Sequence, residues 1–108
     1  MDPSQVLKGV LDTAVLGALR GRRTYGYDLV RSLRGLGFDE VADASVYGTL
    51  RRLARAGFLT GEIVESDAGP ARKYYTLTGA GEAELEASVK TWNDMVEAMN
   101  RILVPDHE

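Results

Sequence analysis

Between Ala44 and Phe58 the stretch ASVYGTLRRLARAGF gathers hydroxyl and guanidinium groups without one acidic residue. At about 100° per residue, Ala44, Gly48, Arg51 and Arg55 share one side of a helix, with Ser45 and Arg52 at its edge. Val46, Leu50, Leu53 and Ala54 fall on the opposite side, spaced as a buried stripe. Guanidinium groups donate bidentately to phosphates and guanine edges. The hydroxyls of Ser45, Tyr47 and Thr49 add shorter donors in the first turns. Gly48 weakens the helix by up to ~1 kcal/mol relative to Ala, but lets a DNA backbone come close. This chemistry suits a helix entering a major groove. A solvated amphipathic helix has the same pattern, and for Tyr47 a half-buried core position is the competing reading.

A second basic group is Arg72 and Lys73, in RKYYTL. Arg72 either reaches DNA or pairs with Glu62 or Glu65 across a hairpin. Tyr74 and Tyr75 alternate faces, with Tyr75 the expected core residue. Catalytic chemistry has little to work with. There is no Cys, and the single His, His107, lies near the end of the sequence. Ordinary Ser-His and Cys-His arrangements and His-rich metal sites therefore lack their parts. Gly79-Ala80-Gly81 lacks the rest of a dinucleotide-binding fingerprint. The expectation is a non-enzyme with no metal and no cofactor.

These residues need elements to hold them. Apolar positions from Ser4 to Leu19 recur at helical spacing, with Ser4 as the expected N-cap and Gly21 as the close. Thr24 can cap a second helix, TYGYDLVRSLRG, with Gly35 and Gly37 as C-cap candidates. Phe38–Val41 is a short link. Asp43 or Ala42 precedes the third helix, Asp43 being the better cap, and Gly57 ends it. Leu59–Val64 and Arg72–Leu77 read as two strands joined by a loose turn, SDAGPA. Thr78 can cap a last helix over residues 79–103. There Leu85, Val89, Trp92, Val96, Met99 and Leu103 recur at steps of four and three, the seam of a coiled coil. A second copy of the chain is the natural partner for such a seam. Trp92, with Met95 and Met99 as adaptable lining, is also the candidate wall of a small-molecule pocket.

The order is three helices, a hairpin and a long helix. This predicts a mainly α fold with a small β-hairpin: a winged helix-turn-helix domain over residues 1–77 and a dimerisation helix over 78–104. Residues 105–108 read as a flexible tail. The N-terminal helix, apolar on two flanks, contributes to the dimer as well.

The 108 residues carry a net charge of −3, which argues against a uniformly basic nucleic-acid binder. Its distribution reverses the argument. Residues 1–77 hold 11 basic and 9 acidic side chains, whereas residues 78–108 hold 2 and 7. The acid is concentrated in the last helix, leaving room for a local basic face. The absence of Cys, of a signal-peptide pattern and of an apolar run near ~20 residues points to a cytoplasmic protein.

TYGYDL, ASVYGTLRRLARAGFL, GPARKYYTLTGAG and KTWNDMVEAM together resemble the PadR-type transcriptional regulators over about Leu7–Leu103. A single C-terminal helix is similar to the short subfamily. The resemblance implies a homodimeric winged-helix repressor of operator DNA. It places DNA contacts at Ser45, Tyr47, Gly48, Thr49, Arg51, Arg52, Arg55, Arg72 and Lys73. It further implies a phenolic or planar aromatic effector near Trp92, Met95 and Met99. A winged helix that binds proteins rather than DNA is the alternative.

Overall fold

The computed structural model describes residues 2–104. The expected tail at 105–108, with His107, lies outside the described residues. The elements are α1 (Pro3–Ala18), β1 (Thr24–Tyr25), α2 (Gly26–Gly35), α3 (Asp43–Arg55), β2 (Leu59–Ser66), β3 (Gly69–Leu77) and α4 (Gly79–Leu103). No helix among them is long and apolar enough to cross a membrane.

One core joins all four helices to the sheet. Leu11, Val15, Leu16 and Leu19 meet Leu29, Val30 and Leu33 of α2 and Val46, Leu50 and Leu53 of α3. Leu59, Tyr75 and Leu85 complete it. The apolar stripe of α3 read from the sequence is thus the buried one. Burying it fixes which way the opposite face looks.

Helices α2 and α3 end in the same way. Gly37 (φ 127°) and Gly57 (φ 87°) adopt the left-handed conformation that glycine tolerates. Phe38 N–H then donates to the Leu33 carbonyl, and Phe58 N–H to the Leu53 carbonyl, each at 3.0 Å. This is the Schellman arrangement, and it tucks Phe38 and Phe58 against the core.

The helix starts differ from expectation. Helix α1 begins at Pro3, so Ser4 is inside it; proline fits the first helical position, where no N–H is needed. Ala42, not Asp43, is the N-cap of α3, without a side-chain cap bond. Asp43 instead forms an ion pair with Arg34 of α2. Arg34 also donates to the Val41 carbonyl at 2.9 Å, so one guanidinium ties the link to both helices. Thr24 caps nothing: it pairs with Tyr75, and Tyr25 with Tyr74, making β1 an edge strand of a sheet ordered β1-β3-β2.

The hairpin strands run further than expected. The turn is Asp67-Ala68, closed by the Ala68 N–H on Ser66 Oγ at 3.3 Å. Gly69-Pro70-Ala71 belongs to β3. The register slips between Val64↔Arg72 and Ser66↔Gly69, which places Pro70 at an irregularity where its missing N–H breaks no regular ladder.

Helix α4 starts as expected. Thr78 Oγ1 accepts the Gly81 N–H at 3.0 Å and donates to the Gly57 carbonyl at 2.7 Å. At 1.5 Å per residue its 25 residues span about 37 Å. Its first three turns pack on the core through Leu85 (4 % exposed) and Val89. The remainder projects, giving a longest dimension of 59 Å.

Candidate nucleic-acid interface

The outer face of α3 presents Ala44, Ser45, Arg51 and Arg55 exposed, with Gly48 half-buried among them. Small residues come first and guanidinium groups follow from the third turn. Neither Arg51 nor Arg55 forms an ion pair among the described residues. Thr49 does not belong to this face. It is 4 % exposed and turned inward, because it follows Gly48 by about 100° and so falls beside Val46 and Leu53. This corrects its expected role as a DNA contact.

The two edges of α3 differ. On one edge Ser45 and Gly48 line a groove of about 520 Å³ against α1. There Arg52 Nη1 and Nη2 donate to the two carboxylate oxygens of Asp12 at 3.0 and 2.9 Å. Arg52, expected to be an anchor for DNA, is thus already engaged by an acid of α1. The other edge is aromatic. Tyr47 packs half-buried against the core, with its ring where a Cβ on Gly26 would stand 2.9 Å from Cε1. Burial first, then the neighbouring Tyr25 and Asp43, hold the Tyr47 phenol above its ordinary pKa of 10.0. The phenol therefore stays neutral, and able to donate, further into the alkaline range than an ordinary tyrosine.

Beyond Tyr47 lies a row of rings that the sequence reading missed. Tyr25 sits 5.8 Å from Tyr74 and 6.1 Å from Tyr27, centroid to centroid. Three arginines cap the row. Arg23 lies 4.8 Å over Tyr74, Arg72 5.0 Å over Tyr25 and Arg31 5.8 Å over Tyr27. All fall within the ~6 Å range of cation–π attraction. Aromatic density in TYGY and KYY was the available signal; the pairing of β1 with β3 was needed to join them. Glu62 is occupied by Arg23 at 3.4 Å, so Arg72 is not the partner of Glu62. Lys73 runs along the other face of the wing, its ammonium 5.6 Å from the Tyr75 ring. Tyr75 is the core tyrosine, as expected.

The expected seam residues of α4 separate along the helix. Leu85 is used inside its own chain, whereas Trp92, Met99 and Leu103 are exposed and Val96 is half-buried. Met95 (56 % exposed) and Ile102 (72 %) extend the same apolar surface. Trp92 and Met95 line a groove of about 220 Å³ against Val10 and Thr13 of α1; Met99 lies outside it.

A helix-turn-helix buried on one side, followed at once by a β-hairpin wing, defines a winged helix-turn-helix protein. The model of the transcriptional regulator PadR-like family matches residues 15–87, and the chain belongs to that family. It is 35% identical to a Streptococcus transcriptional regulator, covering 91% of this chain and 96% of that one at a TM-score of 0.80. A PadR-like transcriptional regulator from Bacillus cereus is 34% identical over 92% and 96%, with a TM-score of 0.81. The Bacillus subtilis PadR solved in complex with operator DNA is 30% identical, covering 74% of this chain and 46% of that one, with a TM-score of 0.67.

Proposed function

We propose that this chain is a sequence-specific DNA-binding regulator that acts in the cytoplasm as a homodimeric, ligand-responsive repressor. The observation that carries the reading is the outer face of α3. Small residues allow close approach, and two guanidinium groups without an ion pair among the described residues, Arg51 and Arg55, follow on the same side. The wing adds Arg72 and Lys73. The solved complex of Bacillus subtilis PadR with operator DNA supports DNA as the partner. Phosphate contacts supply affinity and base-edge contacts supply sequence preference.

The exposed stripe of Trp92, Met95, Met99, Ile102 and Leu103 supports pairing with a second copy. A lone helix loses more than it gains by leaving such a stripe in water. Two recognition helices would then read half-sites about 34–36 Å apart, or a multiple of that. The groove at Trp92 is below the several hundred Å³ usual for small-molecule sites, and a partner's α4 would supply its missing wall. A planar aromatic or phenolic effector there acts by favouring the helix spacing that does not fit the operator.

Binding to a mixed-sequence duplex at two salt concentrations tests the DNA reading. Affinity should fall steeply as salt rises, through counterion release. Absence of binding even at low salt would instead favour a winged helix that docks on proteins.

A further inference from the structure

We propose that Tyr25 is a positioning residue for the wing: its ring fixes the guanidinium of Arg72 so that the N–H edge is presented to a DNA phosphate. The proposal rests on the DNA-binding reading above.

Arg72 and Tyr74 lie two apart on β3 and so share a face, and Tyr25 is the direct cross-strand partner of Tyr74. Arg72 is therefore diagonal to Tyr25, a separation that long side chains span. The Arg72 Cζ stands 5.0 Å from the Tyr25 centroid. Stacking uses the face of a guanidinium and leaves its in-plane N–H donors free. Those donors match phosphate oxygens bidentately.

Among the arginines over the tyrosine row, Arg31 also meets no acid among the described residues but lies on α2 over Tyr27; on the wing, Arg72 stands apart from the other basic groups. Arg23 is stacked on Tyr74 but also paired with Glu62. Arg52 gives two of its nitrogens to Asp12. Arg72 combines a ring contact at 5.0 Å with the absence of an acid partner among the described residues. Tyr25 is itself held, half-buried at the N-cap of α2 and flanked by Tyr27 and Tyr74. The wing arginine is thus anchored to the start of the helix-turn-helix rather than to the wing alone.

A double-mutant cycle on the full chain, binding a mixed-sequence duplex across a salt series, is the test. Arg72→Ala should weaken binding about 5- to 10-fold and make the log-log salt slope shallower by about one. Tyr25→Leu should cost a similar factor, and Tyr25→Leu with Arg72→Ala should be no weaker than Arg72→Ala alone. Tyr25→Phe, which keeps the ring, should stay within about twofold of the parent. Arg72→Lys, a change confined to an exposed wing position, should lose about as much as Tyr25→Leu, because an ammonium keeps the charge but not the planar fork. It carries the test if Tyr25→Leu does not fold. Losses that multiply, an unaffected Arg72→Lys, or an unaffected Arg72→Ala in a parent that binds would each overturn the proposal and leave the DNA-binding reading standing. A parent that binds no duplex at low salt overturns both.

Discussion

Arg52 of α3 and Asp12 of α1 face each other through two N–H···O contacts of 3.0 and 2.9 Å. An acid on the N-terminal helix thereby neutralises one of three arginines on the recognition helix. Both side chains remain about half exposed, at 58% and 49%, so the pair contributes only about 0.2–1 kcal/mol to stability. Asp12→Asn should accordingly leave the melting temperature within a few degrees of the parent. It should raise affinity for mixed-sequence DNA and steepen the salt slope by about one. With Asp12 present, Arg52→Ala should cost less affinity than Arg51→Ala. Fluorescence anisotropy titrations at several salt concentrations read all three.

Gly81 sits where a Cβ would lie 2.0 Å from the Phe58 carbonyl oxygen, which itself accepts the Thr78 N–H. Backbone meets backbone there, so no side chain can yield. Gly81→Ala should lose about 3 kcal/mol or more, or fail to fold. Gly35→Ala is the control. No atom lies within 4 Å of its Cβ position, and it should gain up to about 1 kcal/mol in chemical denaturation.

The Thr24 hydroxyl is buried and meets no hydrogen-bond partner among the described residues. Thr24→Val keeps the β-branched shape and removes the stranded polar atom. Thermal melts should show a gain of about 1 kcal/mol.

Tyr47 has its pKa raised above 10.0, chiefly by burial. The fold favours the neutral phenol, so this contribution is fully present below pH 10.0 and is lost as pH climbs through the raised value. Tyr47→Phe has no proton to lose. Melts on either side of that pH should show a smaller alkaline loss in the variant than in the parent.

Much of the fold was legible in the sequence, for a definite reason. The stripe at Val46, Leu50 and Leu53, the glycines at 37 and 57 and the Thr78 cap are local signals, and each does in the structure what its residue type favours. The failures are where tertiary structure chose between local options. Thr24 has the side chain of a cap but is drawn into β1 by Tyr75, some fifty positions later. Asp43 could cap α3, yet Arg34 offers its carboxylate a charged partner. Within the candidate site, the outward direction of Arg51 and Arg55 followed from helical period alone. The same period places Thr49 beside Val46 and Leu53, although its hydroxyl suggested a contact; periodicity could not show that Arg52 meets Asp12, or that Tyr25, Tyr27 and Tyr74 form one row under Arg23, Arg31 and Arg72.

The central claim is that the outer face of α3 reads DNA, two copies at a time. Selection of bound duplexes from a random pool tests it most directly. The account predicts an enriched inverted repeat with half-site centres about one helical turn apart, or a multiple of one, and loss of that enrichment in Arg51→Ala. A pool that yields no enriched sequence at low salt, or the same sequences with Arg51→Ala, would contradict it.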